Sequence, residues 1–174
     1  MRGAQIIRVK RTAWLTFALI WVVATFLSSR VLGRYLGAAI LTGLGVALLH
    51  WVALLVHHMG HALAARSTGY PMVGVLMWWA LATSLYPRDE PDLPASTHIR
   101  RAIGGPSASL AFSALAGLIA WVLRAQGYAS WALVVFVALD SLVVFGLGSL
   151  IPLGFNDGST LIRWLRARSQ GRAA

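Results

Sequence analysis

The sequence predicts an all-α membrane protein with about four transmembrane helices, a short interfacial or re-entrant segment and a C-terminal amphipathic helix. Of its 174 residues, 58% are hydrophobic and only 11% are charged, whereas a soluble domain carries about a quarter charged residues. The apolar residues fall in long uncharged runs, several near the length of about 20 residues that crosses a bilayer. The net charge of +10 comes from residues at the ends of these runs, which favours membrane topology and contact with anionic lipids over nucleic-acid binding.

These runs divide the chain into successive elements. The segment "YPMVGVLMWWALATSLYP" is short for a span, is bounded by prolines and contains Gly74, so it is predicted to lie at the interface or to re-enter the membrane. In order, the predicted elements are the first span (about 13–29), the second span (36–65), the apolar segment (70–86), a polar loop (87–98), the third span (102–124), the fourth span (130–151) and the amphipathic helix (158–168).

The N-terminus has a basic start followed by an apolar run, a pattern that also describes a signal peptide. The run is long for a signal peptide and no clear small-x-small cleavage site follows it. We therefore expect a retained first span. The whole chain, 1–174, is interpreted as a single membrane domain, in which 1–35 form an N-terminal tail and the first span.

The distribution of basic residues predicts the orientation. If 70–86 does not cross and the N-terminus is inside, twelve basic residues are cytoplasmic and three are outside; if the segment crosses, the numbers become six and nine. The positive-inside rule therefore favours four spans with both termini in the cytoplasm. We expect the protein to lie in the plasma membrane. The twelve inner residues are Arg2, Arg8, Lys10, Arg11, Arg66, Arg88, Arg100, Arg101, Arg163, Arg166, Arg168 and Arg172.

Three histidines interrupt the second span, in "WVALLVHHMGHALAARSTGY". His57 and His61 are four residues apart, so they lie one turn apart on the same helix face and can both bind one ion. Two histidines alone are a weak signal for a metal site. The alternative is a pair of buried histidines that hydrogen-bond to neighbouring helices.

Two aspartates lie near membrane depth, where a carboxylate needs a partner. Asp157, in "SLIPLGFNDGSTL", follows the fourth span at a helix break, and it could simply cap the last helix. Asp140 lies within the fourth span, at a depth similar to that of His50 in the second. We expect His50 and Asp140 to pair directly or through one water; the alternative is an Asp140 that is protonated or bonded to a nearby serine.

Three motifs together resemble one family. "LLVHHMGHALAARSTGY" resembles the His-Glu-x-x-His segment of the site-2 protease family of intramembrane zinc metalloproteases. "AIGGPSASL" (102–110) is similar to the start of that family's next core helix, and "PLGFNDGSTL" (152–161) is similar to its Pro-x-Pro-x-x-Asp-Gly segment. The motifs occur in the family's order, and the resemblance covers about 36–168.

The resemblance implies a metal site and an activity. His57 and His61 match the family's two histidine ligands to Zn²⁺, and Asp157 matches its aspartate ligand. It also implies a site toward the cytoplasmic side and, as partners, transmembrane or membrane-associated protein substrates.

The sequence departs from the family at the residue that moves the proton. His58 occupies the position of the catalytic glutamate, Ser149 stands where the family has asparagine, and Gly154 replaces the second proline. The single glutamate, Glu90, could reach the site only if its loop folds back. We therefore expect a zinc-binding fold with impaired proteolysis. The alternatives are a proteolytically silent binding or regulatory protein (a pseudoenzyme), an active peptidase that uses His58 as an unusual base, or a different membrane function.

Overall fold

The structure is a computed structural model that describes residues 6–170. Within this range, four helical segments are long and apolar enough to cross a membrane, and a further helix follows them, which confirms the predicted membrane fold. Arg2 and Arg172 lie outside the described residues. The spans are α1 (Arg11–Arg30), α2 (Leu36–Ser67), α3 (Ala95–Ala125) and the run Trp131–Leu150, and the further helix is α5 (Asp157–Ser169).

Helix α2 lies at the centre of the protein, packed between α1 and α3 along faces of small residues. Gly43 faces α1, where an added Cβ would overlap the Thr25 side chain. Gly60 and Gly104 meet where α2 crosses α3, and a Cβ on either would overlap the other's carbonyl oxygen. Small residues allow transmembrane helices to approach this closely. This close crossing places the histidines of α2 directly against α3.

The fourth span changes its helical form halfway. Helix α4 (Trp131–Asp140) continues as a π-helical segment (Ser141–Leu147) and ends in a short 3₁₀ turn (Gly148–Leu150). Such π-helical segments are rare and often occur at functional sites. Here Phe145 lies within the segment, with its ring centroid 5.8 Å from that of His57. The sequence did not indicate this change.

The apolar segment 70–86 is a β-hairpin. Strand β2 (Gly74–Trp78) pairs antiparallel with β3 (Leu81–Leu85), and β1 (Ile6–Val9) pairs parallel with β2 on its other side. The hairpin runs back along α2, because its Ser84 contacts His58 and its tip, Ala80, contacts His50. The tip therefore reaches about 25 Å from the C-terminal end of α2, at 1.5 Å per residue. A segment that enters and leaves at the same end of a span is re-entrant, as one of the two predictions stated.

Helix α3 begins earlier than predicted. It starts at Ala95, inside the expected polar loop 87–98, because Pro94 precedes its first turn and accepts a hydrogen bond from the Thr97 amide (3.0 Å). His98 of this turn stacks on Trp164 of α5, with ring centroids 3.9 Å apart. Polar residues thus extend the helix beyond its apolar run.

Candidate metal centre

His57 and His61 face one another on the buried side of α2. Their Nε2 atoms are 3.0 Å apart, and both residues are buried. Gly105 of α3 lies directly against them, where a Cβ would come within 2.6 Å of His57 Nε2 and closer still to His61. The absence of a side chain at this position leaves the space that the two imidazole rings occupy.

Helix α3 orients both rings through their other nitrogen. His57 Nδ1 lies 3.0 Å from Ser109 Oγ, and His61 Nδ1 lies 2.7 Å from the Arg101 carbonyl oxygen. The Gly105 amide also lies 3.3 Å from His61 Nδ1, but the carbonyl is nearer. A carbonyl only accepts, so the proton of a neutral His61 sits on Nδ1 and leaves a lone pair on Nε2. Such partners typically orient histidines that bind metals.

Asp157 completes the group from the start of α5. Its Oδ2 is 3.2 Å from His57 Nε2 and its Oδ1 is 3.3 Å from His61 Nε2. Burial acts to raise the pKa of the Asp157 carboxyl group, but the proximity of the two imidazoles outweighs it and lowers that pKa to about 2. The interpretation of Asp157 as a helix cap is wrong, because Asn156 caps α5 by accepting a hydrogen bond from the Ser159 amide.

The three donors have the arrangement that a metal ion needs. One ligand atom from each of His57, His61 and Asp157 lies within 4.8 Å of the other two. Atoms held 2.0–2.1 Å from one tetrahedral ion are separated by about 3.3 Å, close to the observed separations of 3.0–3.3 Å. Two imidazoles and a carboxylate, with one position left open, also match the ligand types of catalytic zinc sites.

The donor group borders a cavity of about 790 Å³. Strand β3, the first two turns of α3, the π-helical segment and the loop before α5 form its walls. The cavity is therefore large enough for part of a polypeptide chain beside the three donors.

Comparisons with known proteins find similarity in sequence and in fold. Rip3 of Mycobacterium tuberculosis, a protein named as a zinc metalloprotease, is 34% identical to the chain over 160 residues in both strain H37Rv and strain Erdman. The aligned part is 88% of this chain but 39% of Rip3, so the chain spans about two fifths of the length of these relatives. The fold matches the site-2 protease from Methanocaldococcus jannaschii with a TM-score of 0.65 and 20% identity, over 97% of this chain and 69% of that one.

The chain has the fold of a site-2 protease and is related in sequence to the zinc metalloprotease Rip3. It is an integral membrane protein. No protein-family model matches it.

His58, at the position of the family's glutamate, faces the hairpin. Its Nδ1 lies 3.0 Å from Ser84 Oγ on β3. Its ring centroid is 5.3 Å from that of His57 and 5.5 Å from that of His61. His58 is buried and lines the cavity, but it is not part of the three-donor group.

Glu90 reaches the cavity because its loop folds back. Both of its carboxylate oxygens bind Arg101, at 2.5 and 2.9 Å, and the buried guanidinium group also stacks on the Tyr86 ring at 4.2 Å. Hydrogen bonding to Arg101 lowers the pKa of Glu90. A carboxylate engaged in this way is poorly suited to replace the missing glutamate as a base.

The other two departures from the family pattern have clear structural settings. Ser149 lines the cavity but donates its hydroxyl to the Phe145 carbonyl of its own helix, at 2.8 Å. Gly154 has φ +93°, which the fixed ring of proline cannot adopt. The loop before Asp157 therefore has a backbone conformation that excludes proline at this position.

The predicted pair of His50 and Asp140 is confirmed. His50 Nδ1 lies 3.0 Å from Asp140 Oδ2, and both side chains are almost completely buried. The prediction missed the second contact of the ring, from Nε2 to the Ala80 carbonyl oxygen at 3.1 Å. Sequence reasoning also missed Gly105 and Ser109, although both lie in "AIGGPSASL", the motif that resembles the family's core helix.

Proposed function

We propose that this protein is a zinc-binding intramembrane metallopeptidase of the site-2 protease type whose proteolysis is impaired because His58 replaces the catalytic glutamate. The observation that carries the proposal is the convergence of His57, His61 and Asp157 on one point beside a cavity. The name of Rip3 as a zinc metalloprotease supports the choice of metal.

In this proposal His57, His61 and Asp157 hold the ion, and Ser109 and the Arg101 carbonyl keep both imidazoles aimed at it. A zinc ion in such a site supplies Lewis-acid polarisation of a peptide carbonyl and activation of water. The residues of the chain then have to bind an extended peptide and move protons to and from it.

Strand β3 is suited to the first task. Along the described chain it pairs with β2 on one side only, and four of its residues line the cavity, namely Leu81, Ala82, Thr83 and Ser84. An edge strand can accept an extended peptide as a further strand. We propose that an unwound segment of a transmembrane or membrane-associated protein binds there.

Proton transfer is the task for which His58 is poorly suited. A glutamate that takes a proton becomes neutral, whereas His58 becomes a cation beside the positive ion, which like-charge repulsion disfavours. The ring is also fastened to Ser84 through Nδ1, so only Nε2 is available to exchange a proton. We expect slow cleavage rather than a normal peptidase.

A second candidate function is a proteolytically silent protein that binds or regulates membrane proteins. The engagement of Glu90 by Arg101 favours it, because, apart from the proposed ligand Asp157, this leaves no unengaged carboxylate among the described residues at the cavity. In a third possibility His58 is a working base. The unaltered protein would then cleave peptides faster than in the other two cases.

We further propose that both termini face the cytoplasm of the cell, across the plasma membrane. The re-entrant hairpin supports this orientation, since it keeps Arg88 on the same side as Arg66 and so preserves the predicted excess of basic residues on one side.

The experiment compares the parent with His58→Glu, with His58→Gln as a matched control that lacks an acid or base. A general base contributes about 10²–10⁴ in rate, so His58→Glu should cleave a transmembrane test peptide faster by about that factor, while parent and His58→Gln remain slow. A parent that cleaves as fast as His58→Glu would show that His58 is a working base. Less than about a tenth of an equivalent of zinc in the parent, purified without chelator, would reject the metal site itself.

A further inference from the structure

We propose that His50 is a positioning residue that fixes the tip of the hairpin, and through it the strand that borders the cavity. Three groups form this clamp: the His50 ring on α2, the Asp140 carboxyl group at the end of α4 and the Ala80 carbonyl at the hairpin tip. The three lie on elements far apart in sequence. None of them is part of the three-donor metal group.

The contacts fix one proton of the clamp, the one on Nε2 of His50. Nε2 of His50 must carry a proton, because its partner at 3.1 Å is the Ala80 carbonyl, which only accepts. Asp140, 3.0 Å from Nδ1, is then either an ionised acceptor beside an imidazolium ring or a protonated donor to a neutral ring. Both arrangements are neutral overall, which suits a buried position at membrane depth. Both also keep the Nε2–H donor on Ala80.

Two hydrogen bonds meet the outer end of the hairpin: the His50 donor reaches Ala80, and the Trp79 amide donates to Thr12 Oγ1 of α1 at 3.4 Å. Its turn consists of Trp79 and Ala80, and Trp79 adopts φ +51°, which is uncommon for a residue other than glycine. Two hydrogen bonds fasten the hairpin to α2, one from His50 to Ala80 and the other between His58 and Ser84. They are separated by about 12 Å along α2. Among the described residues, the first is the hydrogen bond that holds the tip end of β3 to α2, whereas Thr12 holds the tip to α1.

The effect of the clamp on peptide binding rests on the proposed function, but the clamp itself does not. If the hairpin tip moves, the free edge of β3 moves with it and the cavity changes its width. The test therefore measures the hairpin directly and requires neither bound zinc nor peptidase activity.

The chain contains no cysteine, so a nitroxide can be attached at a single introduced cysteine. One label replaces Trp79 at the tip, which is 52% exposed, and a reference label replaces Leu165 on α5, which is 51% exposed. Electron paramagnetic resonance spectra are recorded in lipid nanodiscs for the parent, for His50→Leu/Asp140→Leu and for Asp140→Asn. The double variant removes the clamp without leaving an unpaired buried charge.

The matched control, Asp140→Asn, removes the carboxyl group of the pair but keeps the clamp. The side-chain amide introduced at position 140 can donate to Nδ1, which leaves the Nε2–H of His50 on Ala80. We expect the double variant to lose the immobilised component of the Trp79 label, while the Leu165 label is unchanged. Asp140→Asn should retain the immobilised component at both positions.

Two results would overturn the proposal: a double variant as immobile at the tip as the parent, or an Asp140→Asn protein as mobile as the double variant. If the Leu165 label also becomes mobile, the double variant is misfolded. The proposal is then tested by a measurement on the unaltered protein. With ¹⁵N-labelled histidine, the Nε2 resonance of His50 should show a directly bonded proton, and a deprotonated Nε2 would refute the clamp. Zinc content measured on the same samples reports separately on the proposed function.

Discussion

Helix α2 supplies the histidines of two histidine–aspartate groups. The groups are similar in composition, but one leaves no ring nitrogen without a protein partner and the other leaves two nitrogens facing a possible metal ion. At His50, both ring nitrogens have partners in the protein, Asp140 and the Ala80 carbonyl. At His57 and His61, α3 engages only the Nδ1 atoms, and both Nε2 atoms point with Asp157 toward one point. The first group joins three elements of the fold. The second presents converging lone pairs and therefore suits a metal ion.

The comparison shows that a buried histidine and an aspartate at membrane depth do not by themselves indicate a metal site. What matters is whether backbone and hydroxyl groups satisfy every nitrogen or leave some of them free. In the second group, Gly105 adds space and Arg101 supplies a carbonyl acceptor. The proposed difference between the groups can be tested at each of these residues.

The largest expected effect is the loss of zinc on removal of a ligand. His61→Ala should lower the zinc content of the purified protein from near one equivalent to below about a tenth, because two donors hold the ion far more weakly than three. Removing the other group, in His50→Leu/Asp140→Leu, should leave the zinc content unchanged, as should His98→Ala. Equal losses in His61→Ala and the His50 double variant would abolish the distinction between the groups.

A smaller loss of zinc affinity is expected when Gly105 gains a side chain. In Gly105→Ala the new Cβ would come within 2.6 Å of His57 Nε2, so the imidazoles must shift, and residues that orient ligands typically change metal affinity by about 10–100-fold. Gly117→Ala on the same helix is the matched control, since a Cβ there meets nothing within 4 Å. Competition with a coloured chelator measures both affinities, and parent-like binding by Gly105→Ala would contradict the role of this glycine.

The pair at His50 should appear as coupling in stability. In a double-mutant cycle of His50→Ala and Asp140→Ala, we expect a coupling of about 1 kcal/mol or more in the free energy of unfolding, because the two side chains contact each other and are buried. Unfolding in mixed detergent micelles measures it. Strictly additive effects would mean that the contact contributes nothing to stability.

The smallest effect is expected at the ion pair of Glu90 with Arg101, the residue whose carbonyl contacts His61. Arg101 lowers the pKa of Glu90 below its ordinary value of 4.5, so the stabilisation from this pair is present above about pH 4.5 and disappears as the pH falls through the lower folded pKa. Glu90→Gln, whose amide oxygen can still accept one hydrogen bond from Arg101, should therefore be less stable than the parent at pH 7. The difference should vanish under acidic conditions, and a difference that grows as the pH falls would have the wrong sign for this pair.

Much of this architecture was predictable because it depends on local patterns. The four spans follow from uncharged apolar runs, and the re-entrant segment from a run that is too short and bounded by prolines. The small sheet was missed at β1, where "IIRV" is only four residues long and its partner strand lies more than sixty residues later. The π-helical segment around Phe145 has no local signal that we recognised, because it depends on packing against α2 and α3.

The sequence by itself determined the membrane class, the spacing of His57 and His61, the presence of Asp157 in a family-like motif and the absence of glutamate at position 58. Only the tertiary structure decided which nitrogens remain free. The partners that decide it, Arg101 for His61 and Asp140 for His50, lie 40 and 90 residues away along the chain. A hydrogen bond needs two groups about 3 Å apart in a fixed orientation, and for groups this distant in sequence only the packing of the helices provides that arrangement.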